Sequence, residues 1–97
     1  MNIDLSNQRI LVTGAGKGIG RTLCEYLCAE GARVVAVSRT QEDLDSLSAD
    51  LGCEVIRADL ADAAAAREAV EQAGAVDGLV NNAGVSIPQS FLDTTVE

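Results

Sequence analysis

The sequence predicts an α/β protein in which a parallel sheet of four strands carries helices on both faces. Three observations lead to this fold class. Short apolar runs without polar alternation are typical of strands that are covered on both sides. Helical segments of about ten residues separate these runs, and such crossovers join parallel strands. A glycine-rich loop, residues 13–20, lies between the first apolar run and the first helical segment.

Strand and helix alternate three times along the chain, and a fourth strand follows. The strands are predicted at Arg9–Thr13, Arg33–Ser38, 53–58 and 76–80, and their expected order in the sheet is 3-2-1-4. The helices are predicted at 21–30, 41–51 and Ala63–Ala73. Thr40 and Asp62 are placed to cap the second and third helices, because their side-chain oxygens can accept main-chain N–H groups. Residues 85–97 are predicted as a loop in which a helix could begin near Phe91.

The apolar residues of each helix recur at helical spacing and predict its inward face. They are Leu23, Cys24, Leu27 and Cys28 in the first helix, Leu44, Leu47 and Leu51 in the second, and Ala66, Ala69, Val70 and Ala73 in the third.

Composition narrows the class of protein. The chain has 97 residues, of which 47% are apolar, and this indicates a single globular domain. Its net charge of −8 argues against nucleic acid and anionic membranes as partners. The N-terminus does not have the pattern of a signal peptide, and no apolar run is long enough to span a membrane, so we expect a cytoplasmic protein. The three cysteines do not have zinc-site spacing, and we expect them to be small core residues with no metal site.

The glycine-rich loop is the first candidate site. Glycine allows sharp turns and a close approach of the backbone to a ligand. The N–H groups at the start of the following helix would then face an anion together with the positive end of the helix dipole. A strand, a glycine loop and a helix in this order are typical of the Rossmann fold and predict a pyrophosphate site, although a tight turn without a ligand is the structural alternative.

The end of the second strand indicates which dinucleotide would bind. Many dinucleotide-binding folds have an acidic residue there, which accepts a hydrogen bond from the ribose 2′-hydroxyl. This chain has Ser38, Arg39 and Thr40 instead. Arg39 can offer two donors to a 2′-phosphate, and Lys17 in the glycine loop adds a second cation. We therefore expect NADP(H) rather than NAD(H); the alternative is that both cations are ordinary exposed loop residues.

Two motifs together resemble the short-chain dehydrogenase/reductase family: Thr-Gly-Ala-Gly-Lys-Gly-Ile-Gly at 13–20 and Asn-Asn-Ala-Gly at 81–84. The segments 31–40 and 43–47 narrow the resemblance to L-xylulose (dicarbonyl) reductases and tetrameric carbonyl reductases. The resemblance implies a partial Rossmann-type fold of three layers, with cofactor-binding residues Gly14, Gly16, Lys17, Gly18, Ile19, Gly20, Ser38, Arg39, Thr40, Asp59, Leu60, Asn81, Ala83 and Gly84.

Roles for several of these residues also follow from the resemblance. The loop would hold the pyrophosphate, with Ile19 beside the nicotinamide. Asp59 would contact the adenine amino group, with Leu60 beside it, and Asn81, Ala83 and Gly84 would line the ribose side. The structural alternative for Asp59 is a turn residue at the end of a strand. For Asn81 and Asn82 it is hydrogen bonding to neighbouring strand ends.

The resemblance implies a longer protein for catalysis. Family members reduce carbonyls with a serine, a Tyr-x-x-x-Lys pair and an asparagine, and all of these come later than position 97. The only tyrosine here is Tyr26 and the only lysine is Lys17, in the wrong order. We expect residues 1–97 to be the dinucleotide-binding half of an NADPH-dependent reductase that passes hydride to a ketone, without catalytic residues and inactive alone. The alternatives are a non-catalytic NADP(H)-binding module and an isolated or designed Rossmann fragment; in either case we expect self-association through the exposed edge of the fourth strand.

Overall fold

The computed structural model describes residues 5–82 and contains a four-stranded parallel sheet with three helices. The elements, in chain order, are β1 Arg9–Thr13, α1 Gly18–Ala29, β2 Arg33–Ser38, α2 Gln41–Leu51, β3 Glu54–Arg57, α3 Ala63–Ala73 and β4 Gly78–Asn81. The strands lie in the order β3-β2-β1-β4, and each neighbouring pair is parallel. The predicted strand order and Rossmann-type architecture are confirmed.

Successive residues of the central strands reach opposite faces of the sheet. Leu11 of β1 packs in one apolar cluster with Ala69 of α3. Its neighbour Val12 packs in a second cluster with Cys24 of α1 and Leu47 of α2. The sheet therefore separates α3 from α1 and α2, and the prediction of helices on both faces is confirmed.

The predicted inward faces of the helices are largely correct. All four predicted residues of α3 are buried, as are Leu44 and Leu47 in α2. Cys24 is buried in α1, and the remaining members, Leu23, Leu27, Cys28 and Leu51, are half-buried.

The three cysteines are free thiols of the α1–α2 side of the core. Burial raises the pKa of the Cys24 thiol to about 12 and also raises the pKa of the Cys28 and Cys53 thiols. The described residues contain no group of three or more cysteine, histidine or acidic side chains that could hold a metal ion.

Three elements have boundaries that differ from the sequence-based prediction. The helix α1 begins at Gly18 rather than at residue 21, so the last two glycines of the loop motif belong to its first turn. The strand β3 is one residue shorter at each end. The strand β4 is Gly78–Asn81 rather than 76–80, and Asp77 just before it exchanges hydrogen bonds with the main chain of Arg9. The predicted loop at 85–97 lies outside the described residues.

The two predicted helix caps have different outcomes. The Asp62 carboxylate accepts the N–H groups of Ala64 and Ala65 at 2.9 and 3.3 Å, as predicted. Thr40 occupies the N-cap position of α2, but its side chain does not cap the helix, so that prediction is wrong. The N–H of Thr40 instead donates to the Ser38 hydroxyl at 3.3 Å, and acidic side chains in the first turn of α2 interact with the helix dipole.

No helix within residues 5–82 has the length and apolar character needed to cross a membrane.

Candidate functional site

A cavity of about 420 Å³ lies at the carboxyl ends of the strands, where the loops after β1, β2 and β3 meet. In an open parallel sheet, ligands bind in the crevice at this edge. The predicted site residues that line the cavity are Gly14, Gly16, Lys17, Ser38, Arg39, Thr40, Asp59 and Leu60. The fold thus brings together residues from three separate segments of the chain.

Four further predicted site residues that the structure describes do not line this cavity. Gly18, Ile19 and Gly20 form the first turn of α1, and the side chain of Ile19 is exposed. Asn81 is the last residue of β4. Ala83 and Gly84 lie outside the described residues.

Two glycines of the loop are required by its geometry. Gly14 turns the chain out of β1 with φ +62°, a left-handed conformation that favours glycine. A Cβ on Gly20 would overlap the carbonyl oxygen of Gly14 and lie 2.8 Å from the side-chain nitrogen of Asn82. The absence of a side chain at Gly20 therefore lets α1 start directly against the end of β1.

The N-terminus of α1 differs from those of α2 and α3. No side chain caps it, and its first turn contains no acidic residue. By contrast, α2 has two acidic residues in its first turn, and Asp62 caps α3. The first-turn N–H groups of α1, with the positive end of its dipole, fit an anionic group such as a pyrophosphate.

The cations of the site are placed on two sides of the cavity. Lys17 has a side chain that is 81% exposed, and its ammonium lies 4.0 Å from the carboxylate of Asp43. Arg39 is exposed at the end of β2, and its carbonyl oxygen accepts a hydrogen bond from Nε of Arg57 at 3.3 Å. Lys17 and Arg39, the two cations that the sequence analysis predicted for the 2′-phosphate, therefore border the same cavity.

Asp43 and Arg57 were not predicted as site residues. The side chain of Asp43 is only 20% exposed, and it lies so close to Gly16 that a Cβ there would be 2.6 Å from the Asp43 Cβ. The signal that could have indicated Asp43 is an acidic residue in the first turn of a helix that starts at the cavity. Arg57 gave no comparable signal, because its proximity to Arg39 depends on the pairing of β3 with β2.

Asp59 forms a local turn at the end of β3. Its carboxylate accepts the N–H of Ala61 at 3.0 Å, and its carbonyl accepts the N–H of Asp62 at 3.0 Å. These hydrogen bonds are the ones expected if Asp59 is a turn residue at the end of a strand. Asp59 also lines the cavity, and this position is compatible with a ligand contact. Its contact with adenine stays a prediction.

The asparagines after β4 are tied to the end of β1 through Thr13. The buried hydroxyl of Thr13 donates to the side-chain oxygen of Asn81 and accepts the N–H of Asn82, both at 2.9 Å. The side chain of Asn82 also donates to the carbonyl of Gly14 at 3.4 Å, and Asn82 lines the cavity. Both asparagines thus make the structural hydrogen bonds considered for them, and the ribose contact of Asn81 stays a prediction.

The sequence profile described as short chain dehydrogenase matches residues 8–97. The chain belongs to the short-chain dehydrogenase/reductase family. Among relatives of this family, L-xylulose reductase of Bos taurus is 55% identical over 98 residues, which cover 100% of this chain and 40% of that protein. D-erythrulose reductase of Gallus gallus is 52% identical over 100 residues, covering 100% of this chain and 41% of that protein. This short-chain dehydrogenase/reductase chain thus spans about 40% of the length of the relatives that it matches.

Solved structures show the same fold. A Pseudomonas aeruginosa RhlG/NADP active-site complex superposes with a TM-score of 0.79 at 33% identity, covering 95% of this chain and 42% of that one. A blue fluorescent protein from a metagenomic library in complex with NADPH gives a TM-score of 0.75 at 32% identity, covering 96% of this chain and 45% of that one. The resemblance drawn from the two sequence motifs is therefore confirmed.

Proposed function

We propose that this chain is the NADP(H)-binding half of a carbonyl or L-xylulose-type reductase that, when complete, transfers hydride from NADPH to a ketone. The observation that carries the proposal is the joint placement, around one cavity, of the glycine loop and Arg39. The loop leads into the uncapped N-terminus of α1, which fits the pyrophosphate. Arg39 stands where an acidic residue would bind an unphosphorylated ribose.

The choice of NADP(H) rests on charge at the ends of β1 and β2. A 2′-phosphate needs donors and positive charge, and the cavity has both in Lys17 and Arg39. Two similar structures are complexes of other proteins with NADP and with NADPH, which supports the same cofactor class here.

The chemistry of carbonyl reduction sets a limit on what this half can do. Hydride arrival at the carbonyl carbon leaves negative charge on oxygen, and a positioned acid must protonate it. Tyr26 is exposed on α1, and Lys17 belongs to the glycine loop, so they form no Tyr-x-x-x-Lys pair. In the proposal, the acid and the substrate pocket belong to the part of the relatives' length that this chain does not span.

The binding experiment is a calorimetric titration of the 97-residue chain with NADPH and with NADH. We expect NADPH to bind more tightly. Arg39→Met should weaken NADPH binding by about tenfold or more and leave NADH within about twofold, because a charge-assisted hydrogen bond to the 2′-phosphate is lost. Arg33→Met is the matched control, since Arg33 is exposed at the opposite end of β2. Equal affinities for the two dinucleotides, or equal effects of the two variants, would refute the 2′-phosphate assignment.

A second experiment tests the catalytic part of the proposal. The purified chain is mixed with NADPH and either L-xylulose or diacetyl, and the absorbance of NADPH is followed. We expect no oxidation, because the proposal assigns the proton donor to the part of the relatives' length that this chain does not span. Turnover that scales with the chain's concentration would show that it is a complete catalyst.

We also propose that the chain self-associates through the edge of β4. Within residues 5–82, β4 pairs with β1 alone, and no further strand lies along its other edge. Leu79 and Val80 of this strand are half-buried. Exposed edges of this kind pair with further strands. Sedimentation equilibrium should show a dimer whose population rises with concentration, and a monomer throughout the accessible range would refute the proposal.

A further inference from the structure

Two arginines lie next to each other at the carboxyl ends of β2 and β3 without a carboxylate partner. Neither Arg39 nor Arg57 forms an ion pair within residues 5–82, although the chain has 15 acidic and 7 basic residues. Arg57 donates from Nε to the carbonyl oxygen of Arg39 at 3.3 Å. Two neighbouring cations in a chain of net charge −8 repel each other, and an anion between or beside them would relieve that repulsion.

The location of the pair indicates which anion this would be. Arg57 lies beside Ser38 in the register of β2 and β3. It lines a second, shallower concave surface together with Arg39, Thr40 and Asp59, residues that also line the main cavity. The two surfaces are therefore continuous around the end of β2, where the 2′-phosphate of the dinucleotide would lie.

We infer that Arg57 is a specificity-determining residue of the 2′-phosphate site. Arg57 holds Arg39 in place by donating a hydrogen bond to the carbonyl oxygen of Arg39, and it adds a third positive charge beside Lys17 and Arg39. This inference rests on the proposed NADP(H) site. Arg57 acts on the phosphate in two ways. Its hydrogen bond fixes the turn that carries Arg39, and its charge adds positive potential to the concave surface that it lines with Arg39 at the end of β2.

The test is a titration of the 97-residue chain and its variants with NADP⁺ and NAD⁺. Arg57→Met should weaken NADP⁺ binding by about fivefold and leave NAD⁺ binding unchanged, because only NADP⁺ carries the 2′-phosphate. Arg57→Lys, which keeps the charge, should recover part of the loss. Arg33→Met removes the same charge from the far end of β2 and should leave both affinities unchanged. Circular dichroism of each variant confirms folding, which an exposed residue at a strand end should not alter.

The positioning route is measured in an Arg39→Met background. If Arg57 acts partly through Arg39, Arg57→Met should weaken NADP⁺ binding by only about twofold in this background, which is less than in the unmodified chain. An equal loss in both backgrounds would overturn this route.

The outcomes separate the inference from the proposed function. If Arg39→Met lowers the preference for NADP⁺ and Arg57→Met behaves like Arg33→Met, the inference fails and the proposed function stands. Equal weakening of NADP⁺ and NAD⁺ by Arg57→Met also overturns the inference, because it indicates a general structural role. If the unmodified chain shows no preference for NADP⁺, the proposed 2′-phosphate site and the inference fail together.

Discussion

Replacement of Gly20 by alanine tests whether α1 must start in contact with the end of β1. In the interior of an ordinary helix, glycine to alanine stabilises by about 1 kcal/mol, because alanine has the higher helix propensity. Here the new Cβ would overlap the carbonyl oxygen of Gly14 and lie 2.8 Å from its carbonyl carbon. These are backbone atoms, so the overlap can be relieved only if the glycine loop or α1 moves.

The magnitude follows from these two opposing effects. Overpacking costs about 1–3 kcal/mol, and contact with rigid backbone belongs at the upper end of that range. Subtraction of the propensity gain of about 1 kcal/mol leaves a net destabilisation of about 2 kcal/mol. For a domain of this size, that loss lowers Tm by about 8–16 °C. Because the moved atoms belong to the proposed pyrophosphate loop, binding of NADPH should also weaken.

The assay combines thermal unfolding with calorimetric titration of NADPH. Gly52→Ala is the control, because Gly52 has φ +67° at the end of α2 and no atom within 4 Å of an added Cβ. It should lose about 1 kcal/mol of stability from backbone strain and keep its affinity for NADPH. A Gly20→Ala chain as stable as the unmodified one would refute the close approach of α1 to β1. Lower stability with unchanged NADPH affinity would refute the role of the loop in binding.

Three further predictions concern a cap, a charge and a thiol. Asp62→Ala should lower the free energy of unfolding by about 1 kcal/mol in urea titrations, because two first-turn N–H groups of α3 lose their acceptor; an unchanged midpoint would contradict this. Asp43→Asn should tighten NADPH binding by about threefold in calorimetry, because it removes a negative charge from the cavity wall. Asp45→Asn, on the same helix and outside the cavity, is the control and should have no effect. Weaker NADPH binding by the Asp43→Asn variant would contradict the charge argument. Burial raises the pKa of Cys24 from 9.0 to about 12, so the folded chain keeps this proton longer than the unfolded chain does, and stability should fall as pH rises from 9 towards 12. Urea titrations at several pH values should show a smaller fall for Cys24→Ala, and an equal fall would contradict the assignment.

The local pattern of apolar and polar residues in the sequence was sufficient to predict most of the fold. Unalternating apolar runs identified the strands, and helical spacing identified the buried faces of α2 and α3. Boundaries were less accurate where a tertiary contact competes with local preference. The helix α1 begins at Gly18, although local propensity does not favour glycine in a helix. Its first turn packs closely against the end of β1, and only glycine allows this contact. Thr40 has the residue type of a cap, but its N–H bonds Ser38 and its side chain is not used as a cap.

The sequence by itself determined the strand–loop–helix element, the family and the pair of cations at the ends of β1 and β2. These follow from short-range spacing, and each short segment largely fixes its own conformation. Only the tertiary structure decided that Asp43 lies against Gly16, that Thr13 joins the end of β1 to Asn81 and Asn82, and that Arg57 holds the carbonyl of Arg39. Such contacts join segments far apart in the chain. They depend on strand order and register, and a shift of one residue would turn each side chain to the other face of the sheet.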